Sequence, residues 1–202
     1  HIPLAAFTHV NDDGSIQQYQ PPAASFYRSN PHAKLQILCT GHSDTVFEKQ
    51  SSFQQCWVEK NHLRGPGVAD MKGGLMVLFQ AMKAIRKSTY SNQVGISVLV
   101  SPDEEIGSLA SAELLKNLAA QAQVGLTYEP ALADGTLAGE RKGSGNFSVI
   151  IKGVGSHAGR DYYAGKNAIL AAAELCLALV SLNNLQQGIT VNIGKISGGT
   201  AL

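Results

Sequence analysis

The chain has 202 residues, 16 Lys and Arg against 15 Asp and Glu, and a formal net charge of +1. With 44% hydrophobic and 15% charged residues its composition is globular, which excludes a disordered chain, and the near-neutral balance gives no electrostatic case for nucleic acid or an anionic membrane surface. No apolar run reaches the roughly 18 residues that a membrane span needs; the best stretch, 168–182, is interrupted by Glu174 and Ser181.

Residues 1–33 are polar and irregular, with Pro3, Pro21, Pro22 and Pro31. They read as loop or weak strand, with a turn at Asn11-Asp12-Asp13-Gly14. Order begins at Lys34, where Leu35, Ile37, Leu38 and Cys39 form an apolar run closing on Thr40-Gly41, a buried strand. Trp57-Val58 and His62-Leu63 flank Glu59-Lys60-Asn61 and suggest a hairpin. From Asp70 the period changes: Met71, Leu75, Leu78, Met82 and Ile85 recur at helical spacing. The β-branched run 94–100 predicts a strand, and Ser108 is placed to cap a helix carrying Leu109, Ala112, Leu115 and Leu118. A third strand is expected at 124–128. This order implies right-handed crossovers and a parallel sheet covered by helices. A smaller unit follows, with a strand at 146–152, a glycine-rich loop, a helix at 167–182 and a strand at 189–196.

Cys39, Cys56 and Cys176 form neither a disulfide framework nor a CxxC pair. A reducing compartment follows, with one disulfide plus a free thiol as the alternative. The chain begins at His1 rather than Met, so the N-terminus is expected to be missing and the lack of a signal peptide decides little. Cytoplasmic location is favoured; periplasmic or secreted location stays open.

In open parallel sheets ligands bind beyond the carboxyl ends of the strands. Gly41-His42-Ser43-Asp44-Thr45 follows the first strand, Ser101-Pro102-Asp103-Glu104-Glu105 the second, and Tyr128-Glu129-Pro130 the third, while Asp70 stands where the first helix begins. One His and several carboxylates thus converge on one edge, a costly arrangement unless protons or a cation neutralise it. The residue types suit Zn²⁺ or a similar divalent metal, and their number suits two bridged metals. Each residue also has an ordinary reading. Glu104-Glu105 could be the acidic first turn of a helix, Asp70 a helix N-cap, Asp44 a turn residue and His42 a hydrogen-bonded loop histidine. A nucleophile elbow at Ser43 lacks the glycine required where Thr45 stands. Gly143-Ser144-Gly145 precedes a strand rather than a helix, which argues against phosphate binding.

GHSDTVF at 41–47, GPGVADMKGG at 65–74, SPDEEIGS at 101–108, YEP at 128–130 and GVGSHAGRDYYAGKNAI at 153–169 occur in one order. From about Lys34 onward the chain resembles the dizinc metallopeptidases, the family of acetylornithine deacetylase, succinyl-diaminopimelate desuccinylase, aminoacylases and glutamate carboxypeptidases. GPGVADMKGG, with the ERKGSG and HAGR segments, most resembles the glutamate carboxypeptidase branch. The resemblance implies an α/β catalytic domain with a mainly parallel, phosphorylase/hydrolase-like sheet (1–142) and a smaller α+β ferredoxin-like lid or dimerisation domain (143–202), both partial.

It also implies two Zn²⁺ per complete chain, with Co²⁺ or Mn²⁺ as alternatives. His42, Asp70 and Glu129 would hold one metal, Asp70 bridging to a second held by Glu105. Asp44 would orient the His42 imidazole, Glu104 would act as general base toward a metal-activated water, and His157 would stabilise the oxyanion, usually across a dimer interface. Arg160 is a candidate for a substrate carboxylate, with a structural salt bridge as the alternative. The implied substrates are peptides ending in glutamate or a similar amino acid, or N-acyl amino acids. The implied partner is a second copy of the chain, with no nucleic acid and no membrane. A late histidine ligand of the family would lie beyond Leu202, and the family's Asn beyond Gly198-Gly199-Thr200 would too, so the chain is expected to be truncated. An inactive binding or dimerising module is the remaining alternative.

Overall fold

The computed structural model describes residues 1–11 and 14–199. Asp12 and Asp13 of the expected turn, and Thr200, lie outside the described residues. The chain forms two compact units, 1–7 with 18–140, and 8–17 with 141–202.

In the first unit a four-stranded sheet forms from β3 (Ser25–Ser29), β4 (Leu35–His42), β7 (Val94–Ser101) and β8 (Val124–Thr127), in the order β3-β7-β4-β8. β4, β7 and β8 are parallel, and β3 closes the β7 edge antiparallel. The expected β–α–β–α–β order is thus present, with an added edge strand from the segment read as loop or weak strand. Five residues, none of them buried and without strict alternation, give β3 little sequence signal, because its ladder to β7 comes from tertiary pairing.

Helix α1 (Gly73–Lys87) links β4 to β7, and α2 (Ala112–Ala119) links β7 to β8. The two crossovers run in opposite directions across the sheet, so right-handed connections place them on opposite faces. The cores agree. Leu75, Leu78, Met82 and Ile85 of α1 pack with Cys39, Ile96 and Val98, whereas Leu114, Leu115 and Leu118 of α2 pack with Leu38 and Leu99. Neighbouring residues of one strand thus serve opposite faces, as a strand's two-residue period requires. The expected hairpin is β5 (Trp57–Glu59) with β6 (His62–Arg64), joined by an Arg64–Glu59 ion pair.

Ser108 does not cap α2. Its φ is +55°, outside the helical region, and the helix starts at Ala112. The helix start carries no side-chain cap; Asp103 instead holds the turn leading into it, its carboxylate accepting the N–H groups of Ala110 and Ser111.

The second unit holds the expected helix as α3 (Ala168–Val180), with Asn167 Oδ1 accepting the Leu170 N–H at its start. Over residues 8–17 it also includes most of a hairpin of β1 (Phe7–Val10) and β2 (Ile16–Tyr19). The strands expected at 146–152 and 189–196 are not formed. Isolated bridges stand instead at Val154–Lys166 and Asn184–Ile189. The apolar pattern registers residues fit for a sheet, but a strand also needs a hydrogen-bonded neighbour, and Phe147 is 91% exposed.

Candidate functional site

His42 is the last residue of β4, one residue inside the strand rather than in the loop beyond it. The register pairs His42 with Ser101, so β4 and β7 end level, and Thr40 with Thr127, which brings Tyr128 and Glu129 alongside the end of β4. Ser43 continues the pairing by donating its N–H to the Ser101 carbonyl at 2.8 Å.

The imidazole is 1% exposed and faces carboxylates on both sides. Nε2 lies 3.0 Å from Asp70 Oδ1, 3.5 Å from Glu129 Oε1 and 3.9 Å from Glu104 Oε2. Nδ1 lies 3.1 Å from the Asp44 carbonyl and 3.4 Å from its Oδ1. The other Asp44 oxygen accepts the Glu105 N–H at 2.9 Å. One aspartate therefore contacts both the buried imidazole and the backbone of the Glu104-Glu105 turn.

Asp70 comes from a kinked turn, Val68–Lys72, that opens on Gly67 with φ +67° and leaves helical geometry at Asp70 and Met71. It is not the N-cap of α1, whose start carries no side-chain cap; its carboxylate, 57% exposed, turns to His42 instead. Met71, first residue of the expected helical stripe, is fully buried, and its sulfur accepts the His42 N–H at 3.0 Å. Gly74, in the first turn of α1, allows the close approach on the other side, because a Cβ there would fall on the Tyr128 carbonyl beside Glu129.

The electrostatics follow from this crowding. Burial is the largest influence on His42 and opposes its charged form. The Asp70 hydrogen bond, Glu129 and Asp44 together outweigh it and hold the imidazole above its ordinary range. Glu105 is pushed up by burial first, then by Asp70, against the pull of His42. Glu129 is likewise raised by burial, His42 acting against this and Asp70 and Glu104 adding to it. The cluster binds protons tightly because it carries more negative charge than its own histidine offsets.

A cation offers the same relief. Ligand atoms of His42, Glu104 and Glu129 lie within 4.8 Å of one another, and so do those of His42, Asp70 and Glu105. One imidazole with carboxylate oxygens is a donor set for Zn²⁺, Mn²⁺ or Co²⁺. Asp44 Oδ1, buried without a hydrogen-bond partner, gives the imidazole the kind of backing that metal-ligating histidines have. The residues fit a divalent metal.

Six residues singled out in the sequence, His42, Asp44, Asp70, Glu104, Glu105 and Glu129, are thus together. His157 and Arg160 lie in the second unit, both exposed, in a turn where the His157 carbonyl accepts the N–H groups of Arg160 and Asp161. His157 Nδ1 accepts the Gly159 N–H at 3.0 Å, which puts the ring proton on Nε2 and makes that edge a donor. Sequence reasoning missed the structural role of Asp103, which is 0% exposed. An Asp before two Glu residues reads as one more surface acid, and only its buried contacts set it apart.

Residues 38–152 match peptidase family M20/M25/M40, and residues 139–202 match a peptidase dimerisation domain. The chain is 32% identical over 161 residues to carboxypeptidase G2 of Pseudomonas sp. (strain RS-16), covering 77% of this chain and 38% of that protein. It is 28% identical over 182 residues to succinyl-diaminopimelate desuccinylase of Nitrosospira multiformis, covering 81% and 48%. Among solved structures, an M20 family metallo-carboxypeptidase from Sulfolobus solfataricus aligns with a TM-score of 0.46 at 22% identity, over 56% of this chain and 28% of that one. The chain spans less than half the length of either of these two curated relatives.

Proposed function

The chain belongs to peptidase family M20/M25/M40, and on that premise we propose that the whole protein is a metal-dependent hydrolase of amide bonds, a carboxypeptidase releasing a C-terminal glutamate or similar amino acid. The observation that carries this reading is the convergence of His42, Asp70, Glu104, Glu105 and Glu129 at the carboxyl ends of β4, β7 and β8. His42, Asp70 and Glu129 would hold one divalent metal, with Asp70 shared toward a second held by Glu105; Zn²⁺ is the proposed ion. Bound there, the metals would acidify a water and polarise the scissile carbonyl.

The chain's own residues do the rest. Glu104, half-exposed at 49%, stands where its carboxylate can take a proton from a water and return it to the leaving amine. Asp44 fixes the imidazole through Nδ1 while holding the Glu105 backbone. His157 offers Nε2–H as a donor to a developing oxyanion, and Arg160 a guanidinium to a substrate carboxylate. In this reading the dimerisation segment of 139–202 pairs two copies of the chain and His157 serves the partner's site.

An N-acyl amino acid deacylase is the second reading. It is supported by the likeness to the desuccinylase. The test is hydrolysis of N-acyl-glutamate against N-succinyl and N-acetyl amino acids, together with metal content, in the whole protein. About two metals per chain are expected. Glu104→Gln is expected to abolish turnover while retaining metal. Fewer than about one metal per chain would sink the two-metal reading, and a Glu104→Gln enzyme at parental rate would sink the base assignment.

A further inference from the structure

Asp103 is the fully buried carboxylate among the described residues, directly before Glu104 and Glu105. Its Oδ2 accepts the N–H groups of Ala110 at 2.8 Å and Ser111 at 3.0 Å, and its backbone carbonyl accepts that of Ser108 at 2.7 Å. These three bonds tie the second half of the 104–111 loop back to the residue that precedes it. Inside the loop the Gly107 N–H meets the Glu104 carbonyl at 2.8 Å, and Gly107 and Ser108 both have positive φ. From outside, the Glu105 N–H is held by Asp44 Oδ2.

Apolar packing holds this loop only at its end, where Ala110 meets the core beside Leu38 and Leu99. Ile106 and Leu109, its large apolar residues, are 43% and 55% exposed. Its course is set by hydrogen bonds, and Asp103 accepts most of them. A carboxylate is costly to bury and is stable there only while backbone donors satisfy it. That makes the clamp two-sided: the loop satisfies Oδ2, leaving Oδ1 buried without a hydrogen-bond partner, and Oδ2 fixes the loop.

We propose that Asp103 is a positioning residue for the reaction, holding the 104–111 loop so that Glu104 and Glu105 stand beside His42 and Asp70. The proposal rests on the hydrolase reading given above. It acts through acceptor geometry, so an amide oxygen in the same place should serve and a methyl group should not.

The test compares Asp103→Asn and Asp103→Ala with Glu104→Gln in the whole protein. It reads kcat and KM on an N-acyl-glutamate, metal content by mass spectrometry, and hydrogen exchange at the Ala110 and Ser111 amides. Asp103→Ala is expected to exchange both amides faster and to lose about a hundredfold in kcat with KM nearly unchanged, the scale of a misplaced reacting group. Asp103→Asn is expected to keep both amides protected and kcat within about threefold of the parent. Asp103→Ala at parental kcat with both amides exchanging freely overturns the proposal, as does Asp103→Asn with protected amides and lost kcat. If Asp103→Ala does not fold, Asp103→Asn decides alone on the same two outcomes. The control separates the layers. Glu104→Gln at parental rate removes the hydrolase reading of the cluster, whereas an inactive Glu104→Gln beside a fully active Asp103→Ala removes the Asp103 proposal only.

Discussion

Gly74→Ala is the sharpest probe of how the acidic cluster is assembled. Glycine early in a helix is ordinarily a weakness, and alanine there should gain up to about 1 kcal/mol. Here the new Cβ would land on the Tyr128 carbonyl. Relief requires the 128–129 backbone or the start of α1 to move by on the order of 1 Å, an overpacking cost of about 1–3 kcal/mol. The two effects leave a net loss of up to about 3 kcal/mol. The larger consequence lies at Glu129, whose Oε1 is 3.5 Å from His42 Nε2. Metal ligands tolerate errors of only about 0.2 Å, so a shift of this size should weaken metal binding by at least the 10–100-fold typical of disturbed supporting contacts. Gly125→Ala is the control. It lies on β8, the strand that leads into Tyr128, where a Cβ meets nothing within 4 Å, and it should be neutral or gain about 0.4–1 kcal/mol. The assay is a metal titration of both variants with the melting temperature in parallel. Equal metal affinity in the two would refute the claim that the approach at Gly74 seats Glu129.

Stability without metal should fall as pH rises. His42, Glu105 and Glu129 each have a raised folded pKa, so each contributes stability below its unfolded value of 6.5 or 4.5 that is lost as pH climbs through the folded one. Urea midpoints across that range should decline and should flatten in a Glu105→Gln/Glu129→Gln variant; a midpoint rising with pH in the chelated protein would contradict the assignment. Divalent metal should reverse the trend, because binding needs deprotonated ligands. At a hundredfold excess over Kd it should add about 2.7 kcal/mol, or about 5–10 °C in Tm for a chain of this size. An unchanged Tm at saturating Zn²⁺ would count against a metal site.

The parts of this molecule legible in its sequence are those governed by a local period. β4 and β7 announce themselves as apolar runs, and α1 as a stripe from Leu75 to Ile85 that packs as its spacing requires. The site was legible for a different reason, since chemistry-bearing residues followed each strand. What escaped depends on particular contacts that no local period records. β3 exists because β7 offers it an edge, 146–152 is not a strand because it has no ladder partner, and the turn into α2 is held by Asp103 rather than capped by Ser108. The β3 and β7 partners share no sequence window, and the Asp103 contacts, though local, follow no helix or strand period.

Topology explains why these acids meet at all. In a parallel sheet the loops after β4, β7 and β8 emerge at one edge, and each crossover helix must begin near that edge to run back under the next strand. Asp70 before α1 and Asp103 before α2 are therefore delivered to the same edge as Asp44, Glu104, Glu105 and Glu129. Six of the chain's 15 acidic residues lie there. The opposite edge is formed by 30–34, 88–93 and 120–123, which carry no Asp or Glu. Helix dipoles favour acids at the starts of α1 and α2, but only by about 0.3–1 kcal/mol each, too little to gather Asp44, Asp70, Glu104, Glu105 and Glu129 around one imidazole. The partition calls for a stronger positive partner than the fold itself supplies, and divalent cations held between His42 and the carboxylates meet that requirement.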